Sequence, residues 1–303
     1  MAYLLLILTP MFWAGNFISA RAIAPETDPL LLALLRWLVA LLLILPWWWP
    51  VVRREWSAMR QNLPILCWLS FWSVAVFNTM IYLGVESTTA SNAAIFQAII
   101  PVLILLLSWM FYSERVNALQ GLGILLSISG VLVIVSKAEL SRLLGLRMNP
   151  GDLWVMVAVV SWAIYSVTLR HRPTTVSPFG FFGFSVAFGV VALLPFAIWE
   201  QGGLVVPHWN TWVWAVVGYI AIFPSILAYL FWNRGVAEIG AATAGLFIYL
   251  IPVFGLVLAI LFLNESLHGY HLAGILLIAA GILLAMIRRI SGYLKQRRAK
   301  ELS

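Results

Sequence analysis

Cysteine is almost missing from this chain of 303 residues. Cys67 is the only one, so an internal disulfide and a cysteine metal cluster are both excluded. Charge is scarce as well: Asp, Glu, Lys and Arg together make up 10% of the residues. No Asp or Glu falls at the centre of a long apolar run, where a proton-coupling carboxylate would be expected. That argues against an obligatory protonation cycle on a central acid; Glu86 and Glu238, near the ends of their runs, are the nearest reserves. Four histidines, His171, His208, His268 and His271, lie near predicted loops. With Glu265 the last two have E-x-x-H-x-x-H spacing, which in principle holds a metal, but a polar turn explains it better. No H-E-x-x-H, G-x-S-x-G or G-x-x-x-x-G-K-[ST] motif occurs. The chain therefore reads as neither an enzyme nor an ATP-driven pump, and no cofactor is expected.

What remains is apolar. Hydrophobic residues make up 63% of the chain and the mean hydropathy is +1.00. A soluble protein of this length could not hide so much apolar surface. Runs of about twenty residues suit membrane helices, whereas a barrel would alternate over about ten. Ten spans are predicted, at 3–23, 30–49, 64–84, 88–112, 119–136, 152–170, 178–199, 211–232, 240–263 and 270–289. The start, "MAYLLLILTPMFWAG", lacks a basic region and a small-residue cleavage site, so it reads as the first span and not as a signal peptide. The expected fold is an all-α integral membrane protein.

The net charge of +7 suits membrane topology better than nucleic acid. With the N-terminus inside, thirteen basic residues face the cytoplasm: Arg53, Arg54, Arg60, Arg115, Arg170, Arg172, Arg234, Arg288, Arg289, Lys295, Arg297, Arg298 and Lys300. Arg21, Lys137, Arg142 and Arg147 face the other side, and Arg36 lies within a span. The bias predicts a multi-pass plasma-membrane protein with both termini cytoplasmic. The basic tail, 291–303, is a topology signal that also suits anionic lipid. Trp47, Trp48, Trp49, Trp56, Trp209, Trp212 and Trp214 fall near span ends, as interface anchors do.

The chain also repeats itself. A shift of 151 residues lays Pro101 on Pro252, Phe96 on Phe247, Glu114 on Glu265 and the "GILL" at 123–126 on that at 274–277. About one position in three is identical across this window. Near the starts of the halves the shift is 149 and lays Trp13 on Trp162. The predicted units are 1–149 and 150–290, each with five spans. An odd number inverts the second unit, which gives an inverted-topology repeat and a site between the halves.

The order and spacing of several segments carry a family resemblance. "FWAGNF" at 12–17, "LLRWLVALLL" at 34–43, "SWAIYSVTLRHR" at 161–172 and the run from Tyr229 to Leu284 resemble the EamA-like branch of the drug/metabolite transporter (DMT) superfamily. The resemblance covers nearly the whole chain. It implies a ten-helix secondary transporter of the bacterial inner membrane, with a cavity lined by spans 1, 3, 4, 6, 8 and 9. It also implies outward movement of amino acids, amines or other metabolites. Where relatives often carry Lys, this chain has Arg21, which keeps the charge.

Candidate site residues follow from polarity inside spans. Asn16, Asn78, Asn92, Gln97, Tyr165, Tyr229 and Tyr249 can each donate and accept hydrogen bonds, either to a ligand or between helices. Trp13 and Trp162 lie well inside their spans and would stack on an aromatic or cationic substrate or pack together. Pro101 and Pro252 free the carbonyls of Gln97 and Ile248 and are expected to kink spans 4 and 9. Arg36 reads as a structural charge bonding helix-end carbonyls. Glycine pairs at 123 and 130, and at 274 and 281, give smooth strips for close packing within one chain or in a homodimer. The expected function is export of small polar metabolites, amino acids first and aromatic ones among them, by alternating access. Amines or cationic drugs, an uncoupled facilitator, and a non-transporting sensor are the alternatives. Proton or counter-substrate coupling stays open.

Overall fold

A computed structural model describes residues 1–114, 117–203, 208–263 and 266–301. Ten helical spans are long and apolar enough to cross a membrane: Ala2–Glu26, Pro29–Gln61, Leu63–Gly84, Asn92–Tyr112, Ala118–Ser136, Pro150–His171, Pro178–Gln201, Thr211–Ile239, Ala241–Phe262 and Gly269–Ile287. No strand occurs among the described residues. Exposed Leu42, Leu106, Leu125 and Leu283 form part of an apolar surface that suits lipid contact.

Side-chain caps set the starts of spans 5 to 8. Asn117 with Gln120, and Asn149 with Asp152, form capping boxes at spans 5 and 6. Ser177 and Asn210 cap spans 7 and 8 with their side-chain oxygens. Spans 2 and 8 run past their expected ends, span 8 to Ile239. Span 2 continues past residue 49 through Pro50 to Gln61, where a loop was expected. Its extension stays ordered because Met59 is buried and Glu55 accepts from the Ser177 amide at 2.9 Å. The connection 137–151 contains a short helix, Leu140–Leu144.

The main packing partners are spans 1 with 8, 3 with 6, 1 with 9, 4 with 6, 2 with 7, and 5 with 10. Every one of these pairs joins a span before residue 149 to a span after it. Spans 5 and 10 lie closest: a Cβ built at Gly130 would approach the Gly274 carbonyl to 2.6 Å. One built at Gly274 would reach the Gly130 carbonyl at 2.7 Å, and Gly123 meets Gly281 in the same way. Only glycine allows these backbones to touch.

Spans 3 and 8 each contain a π-helical turn, Phe71–Val76 and Ala221–Leu227. A π turn leaves carbonyls without their usual amide. In span 3, Asn78 donates to the carbonyls of Ser73 (3.3 Å) and Val74 (2.8 Å), and the Tyr229 hydroxyl donates to that of Ser73 at 3.0 Å. In span 8, Pro224 has no amide to offer Ile220, and the Ser225 hydroxyl donates to that carbonyl instead at 3.0 Å.

Candidate functional site

Spans 4 and 9 are each interrupted just ahead of their proline. Span 4 consists of helix Ala90–Gln97, a break at 98–99, and helix Ile100–Tyr112. Span 9 consists of Ala241–Gly245, the tighter 3₁₀ segment Leu246–Leu250, and Ile251–Leu263. Pro101 and Pro252 are each the second residue of the later helix. A proline in the first helical turn removes an amide that would be unpaired anyway, so it starts a helix instead of bending one.

The breaks border a cavity of about 680 Å³, within the usual size range of small-molecule sites. Gln97, Tyr249, Pro252, Phe17, Leu32 and Tyr82 are among its walls. Its mouth lies where span 1 ends and spans 2 and 10 begin, beside Arg21, Thr27, Lys137 and His271. A smaller inner chamber of about 100 Å³ shares Phe17, Ala20, Tyr82, Gln97, Ile248 and Ile251 with it. Trp13, Asn16, Arg36, Asn78, Trp162 and Tyr229 complete that chamber's polar and aromatic wall. No Asp or Glu lines either space among the described residues.

Arg36 is the polar centre of the inner chamber. It is 5% exposed. Its Nη1 donates to Asn16 Oδ1 at 3.2 Å and to the Tyr82 hydroxyl at 3.4 Å, and its Nη2 donates to Asn78 Oδ1. Its Nε has no partner. The Trp37 and Tyr82 rings lie 5.0 and 5.5 Å from the guanidinium carbon. Arg36 therefore neither snorkels nor bonds helix-end carbonyls, as its sequence position suggested. Side chains from spans 1 and 3 hold it inward. All its partners are neutral, and a buried cation without a counter-charge costs about 3 kcal/mol even on the mildest membrane scale.

Aromatic rings close the floor. Trp13 and Trp162, matched in the repeat, meet edge to face with ring centres 5.1 Å apart. Tyr229 packs edge-on to both Trp37 and Trp162 at 5.0 and 5.3 Å. Asn78 and Tyr229, which are also repeat mates, touch at 3.4 Å. Two candidates lie off both chambers. Asn92 donates to both carboxylate oxygens of buried Asp152 (3.0 and 2.8 Å) and to the Arg147 carbonyl, so it ties span 4 to span 6. The Tyr165 hydroxyl donates to Asn233 Oδ1 and ties span 6 to span 8. Sequence reasoning missed Tyr82 and the centrality of Arg36. Their meeting joins residues 46 apart in sequence, and no local pattern signals it.

The end of the bundle opposite the mouth is closed. Glu114, just after span 4, accepts from Arg170 at the end of span 6. The Tyr112 hydroxyl and His171 Nε2 are 2.7 Å apart, and the Arg170 guanidinium stacks 3.9 Å over the Tyr112 ring. Next to it, Arg172 donates to the Val176 carbonyl at 2.7 Å. Burial pulls its guanidinium down from the ordinary value, and Tyr165 pushes it back up. Glu265, the repeat counterpart of Glu114, lies outside the described residues, as do the side chains of the tail. His271 Nδ1 accepts from the His268 amide at 3.1 Å, which is turn geometry.

A profile of the EamA-like transporter family matches residues 1–136 and 149–287. The chain belongs to this family. Among curated relatives in it, an uncharacterized transporter of Archaeoglobus fulgidus is 29% identical over 95% of this chain and 98% of its own length. The uncharacterized transporter YyaM of Bacillus subtilis is 26% identical over 76% of this chain and 75% of its own. Protein PecM of Dickeya dadantii is 24% identical over 97% of this chain and 94% of its own. One solved crystal structure superposes with a TM-score of 0.77, covering 95% of this chain and 98% of that one. At 21% identity, that likeness is one of fold. Family membership thus joins the ten spans and the central cavity to a multi-pass membrane transporter.

Proposed function

We propose that this EamA-like transporter is a secondary exporter of small polar metabolites, amino acids and aromatic ones foremost, working by alternating access. The observation that carries the reading is the 680 Å³ cavity bounded by the interrupted spans 4 and 9, open at one end and sealed at the other. Interrupted helices at a central site are how secondary transporters expose backbone and side chains to a ligand. On this reading the halves 1–149 and 150–290 are inverted repeats about an axis through the waist. Support comes from repeat mates that touch (Trp13 with Trp162, Asn78 with Tyr229) and from the π turns at matched places in spans 3 and 8. The packing pairs support it too, since exchanging the halves converts 1 with 8 into 3 with 6, and 1 with 9 into 4 with 6.

The charge bias puts the Arg170 end and both termini in the cytoplasm of a plasma membrane. The mouth beside Arg21 and Lys137 then faces outward. The binding set is Trp13, Asn16, Asn78, Gln97, Trp162, Tyr229 and Tyr249. Asn92 and Tyr165 are assigned to positioning spans 4 and 6. Uptake of a radiolabelled amino-acid panel into inside-out vesicles tests the reading. Concentrative or exchange uptake of at least one member is expected, and no uptake of any member by folded protein overturns the amino-acid version.

A further inference from the structure

We infer that Arg36 is an anion subsite, and that the protein selects an amphiphilic carboxylate whose head group docks on its guanidinium. This rests on the transport reading above and narrows it.

Three observations converge. Arg36 is 5% exposed and lines the inner chamber, yet no acid pairs with it among the described residues. Its donors are incompletely used, since Nε has no partner while Nη1 and Nη2 reach only neutral oxygens. A planar guanidinium with a spare donor is suited to a carboxylate, which it binds through parallel hydrogen bonds. The lining on the way to it is basic where it is charged. Arg21 and Lys137 line the large cavity and no Asp or Glu lines either chamber among the described residues, while Glu26 and Asp28 stand beside the mouth outside that lining.

The remainder of the ligand meets a different surface. The large cavity's lining is mainly apolar, with Phe17, Leu32, Ile248 and Leu256 among its walls. An apolar body with one anionic head fits this division. A zwitterionic amino acid is compatible, because its ammonium can face the aromatic floor around Trp13 and Trp162. An amine with no acid group is not. It would bring a second cation to a buried one, with no carboxylate in the lining to neutralise either.

The test uses a matched trio of 3-phenylpropionate, phenylalanine and phenethylamine, with purified protein in nanodiscs for binding and in proteoliposomes for flux. Tryptophan fluorescence reads binding at the floor. The two carboxylates are expected to bind at least tenfold more tightly than phenethylamine and to be carried in preference to it. Arg36→Gln is expected to abolish that preference, and Arg36→Lys to keep part of it. Because a buried arginine variant can fail to fold, Asn16→Asp provides the second arm. It places a near-isosteric carboxylate beside Arg36 Nη1 and supplies an internal counter-ion. With monodisperse protein, it should cut carboxylate affinity at least tenfold while leaving or raising that for phenethylamine. Preferential binding or flux of phenethylamine by the wild type overturns the subsite and leaves the transporter reading standing. So does an unmoved carboxylate-to-amine ratio in folded Asn16→Asp. No binding and no flux of any of the three by folded protein overturns both.

Discussion

The two ends of the cavity are built from like parts and do opposite things. At the mouth, Arg21 ends span 1 and stands exposed with no salt bridge among the described residues. At the sealed end, Arg170, its match under the 149-residue shift, ends span 6 and clamps Glu114 and Tyr112. The same kind of residue at the same kind of helix end is engaged at the sealed end and has no acidic partner among the described residues at the mouth. On the proposed reading, this is the asymmetry of one state of an alternating machine. The clamp is also weak. Arg170 and Glu114 are 34% and 40% exposed, so the pair contributes at most about 1 kcal/mol, and the ring contact adds about 0.5–1 kcal/mol. A seal of this size can open on the timescale of transport.

The largest expected effect falls on neither end. Helices 5 and 10 pack backbone to backbone and should be a fixed frame on which both ends hang. Gly281→Leu would drive a side chain into Gly123 and Ser127 and should cost about 3 kcal/mol or more. A large fall in thermal-unfolding midpoint in detergent is expected. A fall of only a degree or two would mean that the frame yields, and the comparison of the ends loses its fixed reference.

Next in size is the seal. Arg170→Glu replaces attraction with repulsion at Glu114 and should shift the balance of states by about tenfold. Ser108 lies one turn inside the seal, fully buried and with its hydroxyl unpartnered. In a Cys67→Ser background, the thiol introduced by Ser108→Cys should then react about tenfold faster with a membrane-impermeant reagent applied from the sealed side. Adding Glu114→Arg should restore slow labelling, and unchanged labelling in Arg170→Glu removes the seal from the mechanism.

Tyr249 sharpens the comparison inside the cavity. Its hydroxyl is buried without a partner, a state that costs about 1–3 kcal/mol. Tyr249→Phe should therefore raise the unfolding midpoint while weakening substrate binding about fivefold. Lower stability together with unchanged binding would make the hydroxyl structural. The smallest effect belongs to the mouth. Lys137→Glu should slow uptake of a carboxylate about threefold at low salt, with the difference vanishing at high salt. A deficit that persists at high salt would mean that Lys137 contacts the substrate directly.

The fold was legible in the sequence because lipid enforces it. Every backbone group must be satisfied within a helix, so the ten twenty-residue runs could be counted, although the ends of spans 2 and 8 fell well short. Gln97, Tyr249 and the two prolines stood out because polarity and proline are rare there. Besides the meeting of Arg36 with Tyr82, three features were not legible. The polar stretch from Arg53 to Gln61 looked like a loop because its ordering comes from Ser177, more than a hundred residues on. The π turns in spans 3 and 8 carry no local signature, since an extra residue per turn is settled by what Asn78, Tyr229 and Ser225 can reach. Asn92 was grouped with the ligand-facing amides because a sequence cannot tell an amide aimed at a cavity from one aimed at Asp152.

The unpaired guanidinium also has an electrical consequence. If Arg36 is reached from alternate sides, the site carries one positive charge when vacant and none once a carboxylate without an ammonium group is docked, whereas a zwitterion leaves that charge unchanged. Membrane voltage, at about 2.3 kcal/mol per charge per 100 mV, would then act on the resetting of the vacant protein and hardly at all on the loaded passage. An inside-negative potential would pull the vacant site back toward the cytoplasm. On the proposed reading, voltage could thus drive export of such an anion with no acid lining either chamber among the described residues.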